Sequence, residues 1–252
     1  MLTITPLLNF PLIHPGDDLV EIIWKALSEI SIQLKDGDIL VFAQKVVSKV
    51  EGRLVNLNTV TPTKYAIELA GKTEKDPRLI QLVLTQSNDV LRTIPGTIIV
   101  EHRLGFICAN AGIDHSNVSG GVPGEWVLLL PENPDASARG IRRLLELKSG
   151  ARLGVMIIDS HGRAWRLGTQ GVAIGIAGVP GLVDLRGEPD LFNKKLEITQ
   201  VGAADELASA ASLIMGQAAE GTPVVHVRGF PYRLRESALS ELLRPKDQDL
   251  FR

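Results

Sequence analysis

The sequence has little cysteine and no long apolar run. Its single cysteine, Cys108, excludes an internal disulfide framework and fits a reducing compartment, so we expect a cytoplasmic protein. The apolar runs fall short of the roughly 18 residues that a membrane helix needs. The first residues also lack the basic start and apolar stretch of a secretory signal. We therefore expect no membrane partner.

Aromatic residues and net charge are low as well. Aromatic residues make up 4% of the chain, too few for the stacking platforms that bind single-stranded nucleic acid. The formal net charge is −2, whereas a general nucleic-acid binder carries a basic excess. These two absences predict that nucleic acid is not a partner.

The composition is that of an ordinary globular protein, with 44% apolar and 22% charged residues in a chain of 252. We expect one domain over residues 1–252, with two subdomains as the alternative. Apolar strand patterns alternate with helical ones, but some strands, such as 97–100 and 104–109, follow each other directly. This order predicts an α/β (or α+β) protein with a mixed sheet and flanking helices.

The central stretch 153–181 contains the first candidate site. Residues 153–158 are apolar and predict a buried strand, and Asp159, Ser160 and His161 follow at once. We expect the strand to give way to a loop there, with a glycine-rich segment at 171–181. Because open α/β proteins bind ligands at the carboxyl ends of strands, this point is a site hypothesis.

A second polar cluster follows the predicted strand 104–109 and contains Asp114. Asp114 and Asp159, together with a serine hydroxyl, are ligands that a hard divalent cation such as Mg²⁺ accepts. The alternative is that both are turn or cap aspartates, which are common at strand ends. The five histidines are scattered without the paired spacing of a zinc site.

Phosphate-binding fingerprints are missing: the sequence has neither a P-loop nor the dinucleotide-binding glycine pattern. A glycine-rich loop is expected at 119–124. Cationic side chains are the remaining candidates for anion binding, with a solvated basic face as the alternative for each. They are Lys45, Lys49, Arg53, Arg163 and Arg166.

Several segments in the same order along nearly the whole chain carry a resemblance. They are 37–38, 47–53, 110–117, 159–163, 171–178, 215–216 and 227–229. With these segments, the chain resembles the coenzyme F-420:L-glutamate ligase family. The resemblance implies the family-specific gamma-glutamyl ligase fold in an intertwined homodimer. We expect no C-terminal nitroreductase-like domain of the kind that some relatives carry.

The resemblance also implies a reaction. GTP phosphorylates the terminal carboxylate of the lactyl-phosphate side chain of a coenzyme F-420 precursor, which gives an acyl phosphate. The amine of L-glutamate attacks this acyl phosphate, and GDP and phosphate leave. The expected small molecules are therefore GTP as co-substrate, the F-420 precursor, L-glutamate and Mg²⁺ or Mn²⁺, with K⁺ as an additional candidate.

Site residues follow from the same resemblance. Asp114 and Asp159 are expected to hold one divalent ion, and Ser160 and Gln217 a second. The expected catalytic residues are Asp114, Asp159 and Arg163; Arg163, with Arg166, is our candidate anchor for the anionic acceptor. The expected nucleotide contacts are Pro11, Leu12, Ile13, His14, Ala43, Gln44, Lys49, Asn117, Met215, Gly216, Gln217, Ala218, Ala219, Glu220, Gly221 and Thr222.

Three departures from the family pattern stand out. Gln217 is neutral where relatives commonly have an acid, so Glu206 or Glu220 is an alternative ligand for the second ion. The pair 43–44 replaces small hydroxyl residues, and the pair 160–161 replaces Thr-Asn. Two other functions stay open: a metal-dependent phosphohydrolase, and a nucleotide- or deazaflavin-binding module without catalysis.

Overall fold

The computed structural model describes residues 1–118 and 125–249, so the loop expected at 119–124 and the last residues of the tail, 250–252, lie outside the described part. The helices are α1 Leu19–Glu29, α2 Gln44–Val50, α3 Lys64–Thr73, α4 Pro77–Thr85, α5 Pro134–Ser149 and α6 Ala203–Met215. Short 3₁₀ turns lie at Leu57–Thr59, Asn110–Gly112, Leu239–Glu241 and Lys246–Gln248. The strands are β1 Thr3–Pro6, β2 Ile39–Ala43, β3 Leu54–Asn56, β4 Ser87–Ile94, β5 Thr97–His102, β6 Ile107–Ala109, β7 Trp126–Leu128, β8 Gly154–Arg163, β9 Arg166–Ala177, β10 Val183–Asp184, β11 Gln200–Val201 and β12 Val224–Arg228.

A five-stranded mixed sheet forms the centre, with the strand order β1-β12-β2-β8-β9. Strands β2 and β8 run parallel, with Ile39 opposite Gly154, and the other neighbours are antiparallel. The predicted mixed sheet with flanking helices is therefore confirmed.

Both faces of this sheet are buried, because helices cover each of them. Alternate residues of the central strands therefore point into two separate apolar layers. Leu40 and Phe42 of β2 pack into a cluster with apolar residues of α1 and α5. Ile39 and Val41 point the other way, into a cluster with residues of α6. The sheet therefore fixes the carboxyl end of β2 and the end of the buried part of β8. The candidate site lies beside these two points.

A second, smaller layer stands beside the central sheet. The antiparallel strands β4, β5 and β6 form a three-stranded sheet with its own apolar cluster, covered by α3 and α4. A two-stranded pair of β3 and β7 connects the layers, and Asp114 pairs with Leu128 at its edge. The domain division of the chain stays a prediction.

The expected loop after residue 158 is wrong. Strand β8 continues to Arg163 and forms a long hairpin with β9, in which Asp159 lies opposite Val172. Residues 171–177 of the glycine-rich segment belong to strand β9, and residues 178–181 follow the end of that strand. Glycine is needed there because a Cβ on Gly171 would lie 2.4 Å from the carbonyl oxygen of Ala208 in α6. The glycines thus let helices approach the sheet closely.

No helix in the described part of the chain is both long and apolar enough to cross a membrane.

Candidate nucleotide and metal site

A cleft of about 560 Å³ opens at the carboxyl end of β2 and at residues 158–160 of β8, where that strand leaves the buried sheet. One wall is the segment 10–13, a second is helix α2, and a third is the loop 215–223 that follows α6. Side chains of β8 just beyond its buried part close the floor. Ligands of α/β proteins bind at this kind of position.

Nearly all the expected nucleotide contacts line this cleft, although they come from four separate parts of the sequence. His14 is the exception: it is exposed, its side chain is not part of the wall, and its backbone N–H donates to Asp17 Oδ2 at 2.7 Å. The expected contacts in the wall are Pro11, Leu12, Ile13, Ala43, Gln44, Lys49, Asn117, Met215, Gly216, Gln217, Ala218, Ala219, Glu220, Gly221 and Thr222.

The loop after α6 is held by its own side chains. Glu220 Oε2 accepts the N–H of Ala218 at 2.8 Å, and Thr222 Oγ1 donates to the carbonyl of Met215 at 3.0 Å. Backbone N–H donors, with that of Ala218 first, lower the pKa of Glu220. Gly216 has φ +75° and faces the Glu220 carboxyl so closely that a Cβ would lie 2.2 Å from it. A side chain at position 216 would therefore displace the loop.

Ser160 and Gln217, the pair expected at a second ion, touch each other. Ser160 Oγ donates to Gln217 Oε1 at 2.8 Å, and Gln217 Nε2 donates to Ser212 Oγ at 2.8 Å. The amide is therefore oriented with its oxygen toward β8 and its nitrogen toward α6. The Gln217 side chain thus joins Ser160 of β8 to Ser212 of α6.

Asp159 lies in the cleft and is mostly buried. His161, two residues along the same strand and hence on the same face, contacts Asp159 Oδ2 through Nε2 at 3.0 Å. The His161 ring in turn packs against Phe106, with 5.2 Å between ring centroids. The carboxylate is thus oriented by a neighbour that is itself fixed by packing.

Asp114 is placed differently from Asp159. Its Oδ2 forms an ion pair with Lys45 Nζ at 2.8 Å, and its Oδ1 accepts from both the N–H and the hydroxyl of Ser116 at 2.8 Å. Asp114 is not part of the cleft lining, whereas Lys45 is. The structure therefore brings Asp159, but not the Asp114 carboxylate, to the cleft wall.

Lys45, which the sequence analysis names as a candidate for anion binding but not as a nucleotide contact, also lines the cleft. It lies one helical turn before Lys49 on α2, so both ammonium groups belong to one side of the helix. Burial, and after it the charge of Lys45, lowers the pKa of Lys49, while the charge of Asp114 opposes this. The i, i+4 spacing of the two lysines is the sequence signal that identifies the pair.

Oxygen donors alone make up the expected metal ligands that line the cleft. A carboxylate from Asp159, a hydroxyl from Ser160 and an amide oxygen from Gln217 fit a hard cation such as Mg²⁺ or Mn²⁺, which takes one or two carboxylates and leaves the rest of its shell to water and phosphate. Within residues 1–118 and 125–249, no group of three His, Cys, Asp or Glu side chains is arranged as a metal site.

Arg163 and Arg166 lie at the far end of the β8–β9 hairpin, outside the cleft wall. Arg163 Nη1 donates to the carbonyl of Gly168 at 3.1 Å, across the hairpin turn. The structure does not bring Arg163 together with Asp159 in the cleft. Its catalytic role stays a prediction.

Cys108 and His102 lie buried near the site without lining the cleft. Burial raises the pKa of the Cys108 thiol to about 12, and it lowers the pKa of His102 to about 4. Both groups are therefore uncharged at neutral pH. This state fits core packing, which is the role that the sequence predicts for Cys108.

The family model described as F420-0:Gamma-glutamyl ligase matches residues 7–229. The chain belongs to the F420-0:gamma-glutamyl ligase family. This result confirms the resemblance carried by the motifs.

Curated relatives of the same family agree along their whole length. A protein of Methanothermobacter thermautotrophicus named Coenzyme F420:L-glutamate ligase is 46% identical over 97% of this chain and 96% of its own. Proteins with the same name from Methanopyrus kandleri and Methanocaldococcus jannaschii are 45% and 42% identical, over 95% and 97% of this chain and 93% and 95% of theirs. The family similarity therefore includes every segment that builds the cleft.

Proposed function

We propose that this protein is a GTP-dependent ligase that adds L-glutamate, through gamma-glutamyl links, to the lactyl-phosphate side chain of the deazaflavin coenzyme F-420. The observation that carries the proposal is the cleft: residues expected to contact a nucleotide line it together with Asp159. Family membership supports the acceptor and the amino acid, since the curated relatives are named for that ligation. The proposal also includes GTP as the nucleotide co-substrate and an acyl phosphate as the intermediate.

The charges of the cleft suit the joining of two anions. A carboxylate and a triphosphate repel each other, so an acyl phosphate forms only where cationic groups neutralise both. Lys45 and Lys49 supply two such groups in one wall, and the backbone of the loop 215–222 supplies polar contacts in another. A cleft of about 560 Å³ is within the range that small-molecule sites occupy.

We assign the divalent ions to the floor of the cleft. Asp159 would hold one Mg²⁺ or Mn²⁺ ion, Ser160 and Gln217 would hold a second, and both ions would supply positive charge to the phosphates. Asp114 can join Asp159 only if its ion pair with Lys45 opens, because both of its carboxylate oxygens are engaged. K⁺ as an additional ion and Arg163 as an anchor for the acceptor belong to the proposal as well.

The assembly proposed for this protein is a cytoplasmic homodimer with the family-specific intertwined arrangement. Apolar side chains that one chain leaves exposed support it, and several of the most exposed ones lie at the β8–β9 hairpin tip and on the segment 183–201. They include Trp165, Leu167, Leu191, Phe192 and Ile198.

Mass spectrometry of a reaction mixture tests the function. The purified protein is incubated with glutamate-free F-420, L-glutamate, GTP and Mn²⁺ or Mg²⁺. We expect a product heavier by one or more glutamyl units and one GDP for each unit added. ATP in place of GTP is the control for the nucleotide.

Each failure of this experiment has a defined meaning. Phosphate release that does not need L-glutamate would point to a metal-dependent phosphohydrolase. Nucleotide or deazaflavin binding without any turnover would point to a binding module, and attention would turn to Gln217 as the neutral residue at the second ion.

A further inference from the structure

The carboxylate of Glu132 is held between two arginines. Arg53 Nη1 lies 2.7 Å from Glu132 Oε2, and Arg103 Nη1 lies 3.0 Å from Oε1. Arg103 Nη2 also donates to the backbone carbonyl of Glu132 at 2.9 Å. Each carboxylate oxygen thus has its own guanidinium, which is the arrangement that selects a planar carboxylate.

We refer to the two guanidinium groups of Arg53 and Arg103 as the fork. Other contacts also hold both arginines, so the fork does not depend on Glu132. Arg53 Nε donates to the carbonyl of Leu130 at 2.9 Å. Both guanidinium groups also donate to one acceptor, Gln86 Oε1, at 3.2 and 3.1 Å. The fork is therefore oriented before a carboxylate enters it.

The occupant is far more exposed than the fork. The side chain of Glu132 is 64% exposed, whereas those of Arg53 and Arg103 are 20% and 27% exposed. Glu51, the other acid here, is engaged elsewhere: it accepts the N–H of Glu132 and the hydroxyl of Ser137. An exposed carboxylate thus covers two mostly buried guanidinium groups, and its departure would open them to solvent.

Backbone pairing ties the fork to the Asp114 carboxylate. The carbonyl of Arg53 accepts the N–H of Leu129, and the preceding residue, Leu128, pairs with Asp114 in both directions at 2.9 Å. The segment that carries Glu132 therefore continues directly from the one that positions Asp114.

Buried rings tie the fork to the Asp159 side. Arg53 and Arg103 lie close enough to His102 for their charges to lower its pKa, after the larger effect of burial. Asp159 lies close enough to raise the same pKa. The His102 ring stacks on Phe106 at 5.0 Å, and Phe106 packs against the histidine that contacts Asp159. His102, the residue before Arg103, thus stands at one end of a row of packed rings, and the other end of this row contacts Asp159.

We propose that Arg53 and Arg103 are the receptor for a carboxylate of the amino-acid substrate, and that Glu132 occupies this receptor when the substrate is absent. The inference rests on the proposed ligase function. An attacking amine must be left free while its carboxylates are held, and a fork of two guanidinium groups does this. Glu132 carries the same side chain as L-glutamate, so the chain itself presents a chemical copy of the substrate's γ-carboxylate.

Competition between Glu132 and the substrate predicts the direction in which the KM for L-glutamate changes. If the internal carboxylate must leave before L-glutamate enters, its removal lowers the KM for L-glutamate. A solvent-exposed ion pair has a modest strength, so we expect E132A to lower that KM about two- to fivefold. The kcat and the KM for GTP stay within about twofold of the unmodified protein, because the phosphates bind elsewhere.

Arg103 provides the opposite test. R103K keeps the charge but loses the fork, so we expect the KM for L-glutamate to rise roughly tenfold or more while the KM for GTP stays nearly constant. E68Q is the matched control, since it neutralises an exposed glutamate in the ion pair with Lys72, away from the fork. Thermal unfolding of every variant checks that the fold is intact.

Calorimetric titration of L-glutamate into the protein, without turnover, separates this inference from the proposed function. Tighter L-glutamate binding by E132A and weaker binding by R103K support the receptor even if no ligation occurs. Two results would overturn the assignment of Arg53 and Arg103 as the receptor: an unchanged or raised KM and Kd for L-glutamate in E132A, or an unchanged KM and Kd in R103K. Ligase activity of the unmodified protein would still confirm the proposed function in either case. Either result would make the three residues a structural ion-pair network.

Discussion

At the residue scale, the two candidate metal carboxylates differ in what they contact. Asp159 faces the cleft and is oriented by His161, whereas Asp114 is bound by Lys45 and Ser116. A cation at Asp114 competes with an ammonium group, and a cation at Asp159 does not have this competitor within the contacts described here. The first ion of the proposed site would therefore depend more directly on Asp159 than on Asp114.

Neutralising Asp159 tests this order. Outer-shell partners cost roughly 10–100-fold in metal affinity when they are lost, so we expect D159N to weaken Mn²⁺ binding by at least that much. D114N is expected to weaken it less, because the Asp114 carboxylate lies outside the cleft lining and is bound by Lys45 and Ser116. Electron paramagnetic resonance with Mn²⁺ and the nucleotide gives both affinities, and D89N, at an exposed strand position, is the control. Equal affinity in D159N and the unmodified protein would refute the metal assignment.

Asp38 shows how a single buried acid joins separate strands. Arg228 Nε and Nη2 donate to its two carboxylate oxygens at 2.8 and 2.7 Å, and His226 Nε2 lies 2.9 Å from Oδ2. Burial alone would raise the pKa of Asp38, but Arg228, His226 and the N–H of Lys35 together bring it well below its usual value. The carboxylate therefore stabilises the pairing of β2 with β12 only while it is ionised.

The pH dependence of stability follows from this direction. The pKa of Asp38 is lower in the folded state, so its contribution is complete above the ordinary pKa of 3.8 and is lost as the pH falls below that value. We expect D38N to lower the free energy of unfolding at pH 7 by about 1.5–3 kcal/mol. Its stability should also decline less than that of the unmodified protein between pH 4 and pH 3, which urea unfolding measures. A parallel decline in both proteins would contradict the assignment.

The sequence predicts much of this site at the residue scale, because polar residues that follow apolar strands are readable from pattern alone. Asp159 and Ser160 are examples. The pair of Lys45 with Asp114 is not readable, since the two residues are 69 positions apart and a separate sheet is formed by the chain between them. Contacts of this kind depend on how two layers pack, which no local pattern encodes.

At the element scale, the β8–β9 hairpin differs most from its sequence pattern. Apolar residues 153–158 predict a strand, but the polar residues that follow have the composition of a loop. They form a strand because β9 pairs with them out to Arg163, where the hairpin extends beyond the buried sheet. Non-local pairing thus overrides local composition.

Glycines in β9 are the second reason why sequence reasoning failed there. A glycine usually weakens a strand, yet here it accommodates a helix. A Cβ at Gly175 would lie 2.5 Å from the carbonyl carbon of Pro134, at the start of α5. The requirement comes from a residue 41 positions away, so the strand itself gives no sign of it.

Two alanine substitutions in the hairpin separate these roles. We expect G175A to lower the free energy of unfolding by about 1–3 kcal/mol, because α5 must move to admit the methyl group. G162A is the matched control, since nothing lies within 4 Å of the added Cβ. It should be neutral or slightly stabilising. Urea midpoints of the two variants decide, and equal midpoints would show that α5 does not pack tightly on β9.

At the scale of the whole molecule, the exposed apolar side chains are unevenly distributed. Trp165 and Leu167 flank the hairpin turn at 89% and 98% exposed, and Phe192 on the segment 183–201 is 89% exposed. Exposed apolar groups of this size commonly mark association surfaces. The sequence predicts that these side chains are present. It does not predict that Trp165 and Leu167 stand at the tip of a hairpin, because the pairing of β8 with β9 puts them there.

A homodimer formed through the hairpin tip and the segment 183–201 has a measurable mass. We expect light scattering coupled to size-exclusion chromatography to give about twice the 27.3 kDa of one chain. Replacing both Trp165 and Leu167 by serine should raise the dimer dissociation constant by roughly tenfold or more, since large apolar anchors dominate interface energies. I67S, at an exposed position on α3, is the control and should leave the dimer intact. A monomer in the unmodified protein would refute the dimer, whereas a dimer that survives the double variant would place its interface away from the hairpin.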